Sequence, residues 1–272
     1  YEINVKAYSI KESQSDLSDK GIFTAQDDYG ISYYYRGNVN NNNLVFNNMQ
    51  WKIVRINGDG SIRIIYNGQK SLQNNNAYIG ISYFNSNVNS SYAEFDKTSG
   101  VLTESDIKLK LDEWFKTNFD DNQITNLITD AGFCNDRSAS DDGIYLASQR
   151  DKNNSPQLFC NNSSNDLFTV ANLKGNNLLK YPIGLITYDE LKFAGISSST
   201  FNKSSWIWDN YSYWTITPKG KDENFFLSSD GIISKWSSKT NYTIRPVIFL
   251  KSNVEISGGI GTINDPFVVK TE

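Results

Sequence analysis

Two loops near the carboxyl end of the chain carry side chains suited to ligand recognition, "SSWIWDNYSYW" at 204–214 and "SKWSSKTNY" at 234–242. Their Trp and Tyr rings combine a flat apolar face with a polar tip, as at many recognition sites. An alternative is that rings spaced by two residues alternate along a strand and half of them complete the core, the interpretation we prefer for Tyr213 and Trp214. The residues predicted to contact a ligand are Trp208, Asp209, Tyr211, Trp236, Asn241 and Tyr242.

Catalytic chemistry is restricted by the absence of histidine from all 272 residues. Without it the usual general base, the Ser-His and Cys-His nucleophile pairs and histidine metal ligands are unavailable. A glycosidase would need two carboxylates across a cleft, one of them with a raised pKa. The acids that qualify only by their position in loops are Asp27, Asp28, Asp141, Asp142, Asp209 and Asp230. We therefore predict that the protein is not an enzyme.

One segment is a candidate metal site, "SASDDG" at 138–143, where clustered acids could hold calcium. Asp and Ser also favour turns through local hydrogen bonds, and an ordinary loop is the preferred interpretation. No cofactor and no metal site are predicted, with calcium left open.

The two cysteines, Cys134 and Cys160, are separated by 25 residues of mostly polar sequence. No CxxC pair is present, so a zinc site is not indicated. A disulfide would stabilise the fold by about 3–4 kcal/mol in the chain-entropy model and would fit an exported protein. The alternative, two buried thiols in a cytosolic protein, stays open.

Charge and hydropathy restrict the partners. The net charge of −4 and the lack of a basic patch argue against a nucleic-acid binder. No apolar run is long enough to cross a membrane. Because the sequence starts at Tyr1 rather than Met, we expect an extracellular protein anchored to the cell surface through an upstream segment, with residues 1–22 as an N-terminal extension.

Turn and helix signals predict an α+β fold with mostly antiparallel sheets, two or three short helices and long loops. One hairpin pairs 50–56 with 61–66 across Asn57-Gly58-Asp59-Gly60, and a second turns at Ser229-Asp230-Gly231. The predicted helices are about 104–118, with Thr103 and Asp106 as a capping box, about 121–130, and Thr187 to about Gly195, with a Thr187–Glu190 capping box.

Arg245 heads the apolar run Pro246 to Leu250, which is typical of a buried strand. A guanidinium group entering such a strand must be hydrogen-bonded or ion-paired, because burying a bare charge costs several kcal/mol. We therefore expect Arg245 to be buried and structural.

Several stretches occur in an order that resembles a known group of proteins. They are "YYYRGNVNNNNLVF", "WKIVRINGDGSIRIIYNG", "FCNDRS", "YPIGLITYDELKFAG", "YWTITP" and "IRPVIFLKSNVEISGGIGTINDPFVV". Together they resemble a family of largely uncharacterised surface proteins of low-GC Gram-positive bacteria, some of them pilin-like, over about residues 23–269.

The carboxyl-terminal part also resembles the end of the C-type-lectin-like fold, shared by formylglycine-generating-type enzymes and variable phage receptor-binding proteins. This resemblance implies one C-type-lectin-like domain over 23–272, an arginine at Arg245 that ties loops beneath the ligand face, and ligand contacts in the loops before the last strand. The cysteine pair of the formylglycine-generating enzymes has no matching motif around Cys134 and Cys160.

The function expected from these observations is a non-enzymatic extracellular binding module, of the adhesin or pilus-tip (minor-pilin) type. Its expected partners are a glycan or protein on a host or bacterial surface, with other pilin subunits as further candidates. The alternatives are a structural spacer of a pilus or cell surface and, with less support, an enzyme of the formylglycine-generating type or a glycosidase.

Overall fold

Strands dominate the computed structural model, which describes residues 19–69 and 76–271. In chain order the strands are β1 (Gly21–Asp27), β2 (Gly30–Arg36), β3 (Asn43–Phe46), β4 (Met49–Ile56), β5 (Ile62–Gln69), β6 (Ile81–Ser82), β7 (Ala93–Asp96), β8 (Val101–Glu104), β9 (Phe133–Cys134), β10 (Leu167–Phe168), β11 (Tyr213–Pro218), β12 (Glu223–Leu227), β13 (Ile233–Ser237), β14 (Tyr242–Thr243), β15 (Val247–Leu250), β16 (Ile256–Gly258) and β17 (Phe267–Val269). The helices are α1 (Asp106–Asn118), α2 (Asn122–Thr125), α3 (Leu146–Asn153), α4 (Ser163–Asp166) and α5 (Tyr188–Phe193). The α+β class with several sheets is therefore confirmed.

The larger sheet has the order β1-β2-β4-β3-β17-β16, and β5 joins it by pairing with β4 and β15. The predicted hairpin is present as β4 and β5, closed by the turn at 57–60. Gly60 has φ +82°, as the turn requires. Gly58 has a different reason to be glycine, since a Cβ there would lie 2.4 Å from the Gly30 backbone.

The smaller sheet has the order β13-β12-β11-β14-β6. The second predicted hairpin is confirmed as β12 and β13, with Gly231 at φ +79° in its turn. The pairs are antiparallel except where β11 meets β14 and β17 meets β3. Every residue of β11 and β15 is buried, so these strands form the centre of the core.

The helices agree with the sequence in position more than in length. At α1 the N-cap is Ser105, whose hydroxyl accepts the Lys108 N–H, so the predicted Thr103–Asp106 box is wrong. The helix expected over 121–130 is the single turn α2, because beyond it the Thr129 N–H donates to the Phe249 carbonyl and the chain joins the sheet. The Thr187–Glu190 capping box of α5 is present as predicted. Neither α3 nor α4 was anticipated.

Two further sequence expectations concern the N-terminal extension and membrane-spanning segments. Of the predicted extension 1–22, residues 1–18 lie outside the described residues, and Gly21 and Ile22 already belong to β1. None of the helices in the described part of the chain has the length and apolarity that crossing a membrane requires.

Candidate functional site

The first group of predicted ligand contacts lies just before β11. Trp208 is half-buried, and its indole N–H donates to the Ser229 carbonyl at 3.1 Å. Tyr211 keeps 43% of its surface exposed and meets the Tyr78 ring edge-on at 4.9 Å between centroids. Asp209, between them, is half-buried. These rings are partly packed and partly presented to solvent.

The second group lies around β13 and β14. Tyr242 is half-buried because its ring stacks on Phe226 at 4.1 Å and meets Trp214 edge-on at 4.8 Å. Trp236, by contrast, is 59% exposed on the outer strand β13. Asn241, in the loop between these strands, is exposed.

The sheet register decides how the two groups lie relative to each other. The Thr243 N–H donates to the Ser212 carbonyl at 3.0 Å, which brings the starts of β11 and β14 side by side. Trp236 faces Asn224, which also pairs with Pro218 at the far end of β11. The structure therefore brings Tyr211 and Tyr242 to one end of the sheet and sets Trp236 toward the other. Tyr213 and Trp214 are fully buried, as predicted.

Arg245 lies beneath the first group and is only 2% exposed. Its Nη1 donates to the Ile207 carbonyl at 3.0 Å, and Nε and Nη2 both donate to the Tyr66 carbonyl at 3.2 and 3.1 Å. The guanidinium carbon lies 4.9 Å from the centre of the Tyr213 ring. Arg245 thus joins the loop before β11 to β5.

The predicted disulfide is present between Cys134 and Cys160, whose Cα atoms are 5.7 Å apart. It links the end of β9 to a loop that follows α3. The Cys160 backbone N–H donates to both carboxylate oxygens of Asp28, at 3.1 and 3.0 Å. The bridge therefore also fixes the position of an acid from the β1–β2 turn.

Asp28 lines a cavity of about 40 Å³ that the sequence did not predict. Charged side chains form most of its walls, and it is here called the charged pocket. It lies between the β1–β2 turn, the β4–β5 hairpin, α3, α5 and the disulfide. Its charged lining consists of Asp27, Asp28, Arg55, Arg63, Asp136, Arg150, Asp189 and Glu190.

Glu190 organises one wall of the charged pocket. Its carboxylate accepts the Thr187 N–H at 2.9 Å in the capping box of α5. The same carboxylate lies 3.0 Å from Nε of Arg55 on β4 and 2.6 Å from Nε of Arg63 on β5. Arg55 also reaches Asp27, 2.9 Å away. Glu190, which caps α5, therefore links this helix to β4 and β5, and through Arg55 to the β1–β2 turn.

Arg150 organises the opposite wall. Its guanidinium donates from Nε and Nη2 to the two oxygens of Asp189, both at 2.8 Å, in the bidentate geometry that suits a carboxylate. Nη2 also donates to Asp136 at 2.5 Å. Asp189 accepts in addition the Gln157 N–H at 3.0 Å. This hydrogen bond attaches the segment that carries Cys160 to Asp189 at the start of α5.

The electrostatics of the charged pocket are unbalanced, because five carboxylates face three guanidinium groups. Burial raises the pKa of Asp28 above its ordinary value, with the Cys160 N–H opposing in part. Burial likewise raises the pKa of Asp189, although Arg150 opposes it. At Glu190 burial acts upward, but Arg63 and Arg55 together lower the pKa. The formal excess of two negative charges favours a ligand that is neutral or cationic.

The acids that sequence reasoning offered for catalysis divide between this pocket and the surface. Asp27 and Asp28 line the pocket. In the loop proposed for calcium, Asp141 and Asp142 are exposed and Asp142 accepts hydrogen bonds from Ser140 and Ile144, which makes the segment a turn. Asp230 lies 3.4 Å from Lys203 at the surface. Within residues 19–69 and 76–271, no group of three or more acids and cysteines is placed to hold a metal ion.

A usable signal for the charged pocket was present in the sequence. Arg55 and Arg63 stand in apolar strands just as Arg245 does, and the same argument from buried charge requires partners for them. Their shared partner, Glu190 on α5, is more than 120 residues away, so no local motif identifies it.

Comparisons with known proteins identified no relative of this chain. No protein-family model matches the chain, and no curated protein or solved structure shows significant similarity to it. Its function must therefore be inferred from the arrangement of its own side chains.

Proposed function

We propose that this protein is a non-enzymatic extracellular binding module, of the adhesin or pilus-tip type, that recognises a glycan or a protein on a host or bacterial surface. The observation that carries the proposal is the exposure of Trp236, 59% of whose surface meets solvent on an outer strand. Burying such a ring would stabilise the fold by about 1.5–3 kcal/mol. An exposed indole with polar neighbours is a common anchor of binding surfaces.

The surroundings of Trp236 support this proposal. Lys235 and Lys239 are exposed in the same stretch of chain and offer polar groups to a ligand, whereas Asn241 is exposed next to Tyr242 at the other end of the sheet. Tyr211 adds a second partly exposed ring at the other end of β11. Trp and Tyr lose little rotamer entropy on binding, which favours their use on a preformed surface. A pure spacer of a pilus or cell wall would not need these rings.

The same proposal includes the C-type-lectin-like domain and the cell-surface location. The tie from Arg245 to Ile207 and Tyr66 lies under the loop before β11, as the fold resemblance implies. The disulfide is consistent with an extracellular protein.

A glycan array followed by binding to intact bacterial and host cells would test the function. Trp236→Ala should reduce binding at least tenfold, since truncation of an interface anchor costs about 2 kcal/mol or more. Phe95→Ala, at an exposed ring of the separate β7–β8 hairpin, is the matched control and should bind as the wild type does. Glycosidase or protease treatment of the cells then distinguishes a glycan from a protein partner. Equal binding by the Trp236 variant would remove this surface as the site.

A further inference from the structure

A further cavity, of about 210 Å³, lies between the larger sheet and the loop that joins β16 to β17. Three amide side chains line it, Asn43 on β3, Gln50 on β4 and Asn67 on β5, and none of the described residues around it is charged. The cavity is here called the amide pocket. All three amide residues are half-buried, so a ligand that enters from solvent can reach their side chains.

Hydrogen bonds within the protein determine which amide atoms remain for a ligand. Oδ1 of Asn67 lies 3.4 Å from Nη2 of Arg245, which can only donate, so the Nδ2 group of Asn67 is left as a donor. Nδ2 of Asn43 donates to two backbone carbonyls, at 2.9 and 3.2 Å, which leaves Oδ1 of Asn43 as an acceptor. The Gln50 side chain hydrogen-bonds to no other residue in the described part of the chain. The amide pocket thus presents a donor from β5, an acceptor from β3 and both from β4.

The positions of these groups suit the trans amide of an acetamido group. In such an amide the C=O and N–H groups point in opposite directions, and one hydrogen bond on each side gives a span of about 8 Å. Strand β4 lies between β3 and β5, so the outer two strands are roughly 10 Å apart. The Asn67 side chain can therefore donate to the carbonyl while the Asn43 side chain accepts from the N–H. A charged ligand would find no counter-ion in the described lining.

The remaining lining fits the rest of an N-acetylated sugar. Ile263, which is 74% exposed, and Pro266 place apolar surface beside the amides, which suits the acetyl methyl group and the C–H face of a sugar ring. Gln50 can both donate to and accept from a ring hydroxyl group. The volume of about 210 Å³ is smaller than the roughly 300–1,000 Å³ of pockets for drug-sized ligands, so one sugar residue is the size that it suits.

The loop beside the amide pocket is fixed by hydrogen bonds. The Asn43 N–H donates to the Gly261 carbonyl at 2.8 Å, and the Ile260 N–H donates to the Asp265 carbonyl at 3.0 Å, which closes the loop around Ile263. A preformed wall of this kind reduces the entropy lost on binding.

A peptide also contains trans amides but fits the amide pocket less well. Peptides that bind a sheet through their backbone add to a free strand edge. Here β3 is paired with β4 and β17, and β4 is paired with β3 and β5, so neither strand offers a free edge to an added strand. Recognition at the pocket therefore depends on the amide side chains, which favours a single amide group on a compact ring.

We propose that the amide pocket binds an N-acetylated sugar residue, with the acetamido group between Asn43 and Asn67 and a ring hydroxyl group at Gln50. The pocket lies on the larger sheet, apart from the Trp236 surface on the smaller one, so its ligand is independent of the function proposed for that surface.

Three probes separate the acetamido group from the ring and from a peptide: methyl N-acetylglucosaminide, methyl glucoside and N-acetylalanine methylamide. Calorimetry and saturation-transfer NMR on the whole protein should detect the first at millimolar concentration, with the largest saturation at its acetyl methyl group. The other two should bind at least tenfold more weakly, because methyl glucoside lacks the amide and the peptide lacks the ring hydroxyl groups.

Two variants test the amide side chains. Asn67→Asp replaces the donor Nδ2 by an oxygen, so binding of the N-acetylated probe should fall about tenfold or more, while Tm should not fall because Arg245 gains an anionic partner. Gln50→Leu should weaken binding several-fold and leave Tm unchanged, because Gln50 has no hydrogen bond to a described residue to lose. The matched controls are Asn122→Asp on α2 and Gln26→Leu on β1, both at exposed positions, and they should bind as the wild type does.

The outcomes distinguish this site from the Trp236 surface. Binding of the N-acetylated probe that falls in Asn67→Asp and Gln50→Leu but persists in Trp236→Ala supports the amide pocket. Binding that persists in both pocket variants would overturn the inference, and its loss in Trp236→Ala would place the sugar on the Trp236 surface instead. Equal affinity for methyl glucoside would refute the role of the acetamido group, and tighter binding of N-acetylalanine methylamide would assign the pocket to a peptide. The absence of any signal from the N-acetylated probe with the wild-type protein would also overturn the inference.

Discussion

Arg245 provides the sharpest test of how the fold supports its loops. The side chain is buried, and its partners among the described residues are neutral oxygens: the Tyr66 and Ile207 carbonyls and, at 3.4 Å, Oδ1 of Asn67. Truncation to alanine leaves the two carbonyls without this donor, at a cost of about 1–3 kcal/mol each. Relief from burying a charge without an anionic partner offsets part of that cost.

The expected net effect of Arg245→Ala is a loss of about 2–4 kcal/mol in the free energy of unfolding. For a domain of this size, a change of about 3 kcal/mol lowers Tm by roughly 6–12 °C. Scanning calorimetry and urea unfolding followed by Trp fluorescence would measure both quantities. Arg245→Lys should lose a large part of the same stability, because an ammonium group cannot reproduce the planar fork that reaches both carbonyls.

Lys235→Ala is the control, since Lys235 is exposed on β13 and its removal should change stability by less than about 0.5 kcal/mol. If Arg245→Ala melted within about 2 °C of the wild type, the guanidinium could not be the link between the loop before β11 and β5. If Arg245→Lys alone behaved as the wild type, charge rather than fork geometry would be what the site requires.

Three further predictions concern the disulfide and the charged pocket. Replacing Cys134 and Cys160 by alanine should lower stability by about 3–4 kcal/mol in denaturant titration, and an intact mass showing two free thiols in the wild type would contradict the bridge. Glu190→Gln should cost about 3–5 kcal/mol at pH 7, because Arg55 and Arg63 lose their anionic partner. Because the pKa of Glu190 is lowered in the folded state, its contribution is present above pH 4.5 and is lost as the pH falls through the folded value, so the two stability curves should converge in acid. The control is Glu113→Gln, at an exposed acid of α1, which should change stability at pH 7 by less than about 0.5 kcal/mol. Asp28→Asn should be at least as stable as the wild type at pH 7. The pKa of Asp28 is raised in the folded state, so ionisation of its carboxyl above pH 3.8 lowers the stability of the wild type, and the amide removes that loss. A stability gain of the variant that persisted well below pH 3.8 would show that ionisation of Asp28 is not the reason.

The elements that were predictable from the sequence are those fixed by local chemistry. The turns at Asn57–Gly60 and Ser229–Gly231 and the Thr187–Glu190 box were found where a few neighbouring residues determine the backbone. The alternation around Tyr213 and Trp214 likewise identified core positions. The burial of Arg245 was predictable because a charge within an apolar strand must be hydrogen-bonded or ion-paired.

Elements that depend on tertiary contacts were not predictable in the same way. The helix expected over 121–130 ends after one turn because Thr129 bonds to Phe249, more than 100 residues away. Exposure of the aromatic residues was equally hidden, since Trp236 and Tyr242 look alike in sequence. Only the stacking of Tyr242 on Phe226 shows that one ring is largely part of the packing and the other is not.

The charged pocket illustrates why a site can escape motif analysis and still be specified by the chain. Its ion pairs stabilise the fold less than their number suggests, because burying each charge costs several kcal/mol before any attraction is gained. Their geometric effect is larger. Glu190 can satisfy Arg55, Arg63 and the Thr187 N–H together only when α5 sits at one position against β4 and β5. We infer that the network selects one arrangement of the loops around the pocket. Variants of Glu190 should therefore lower the free energy of unfolding and also change the arrangement of α5 against β4 and β5, which amide hydrogen exchange over these elements would detect.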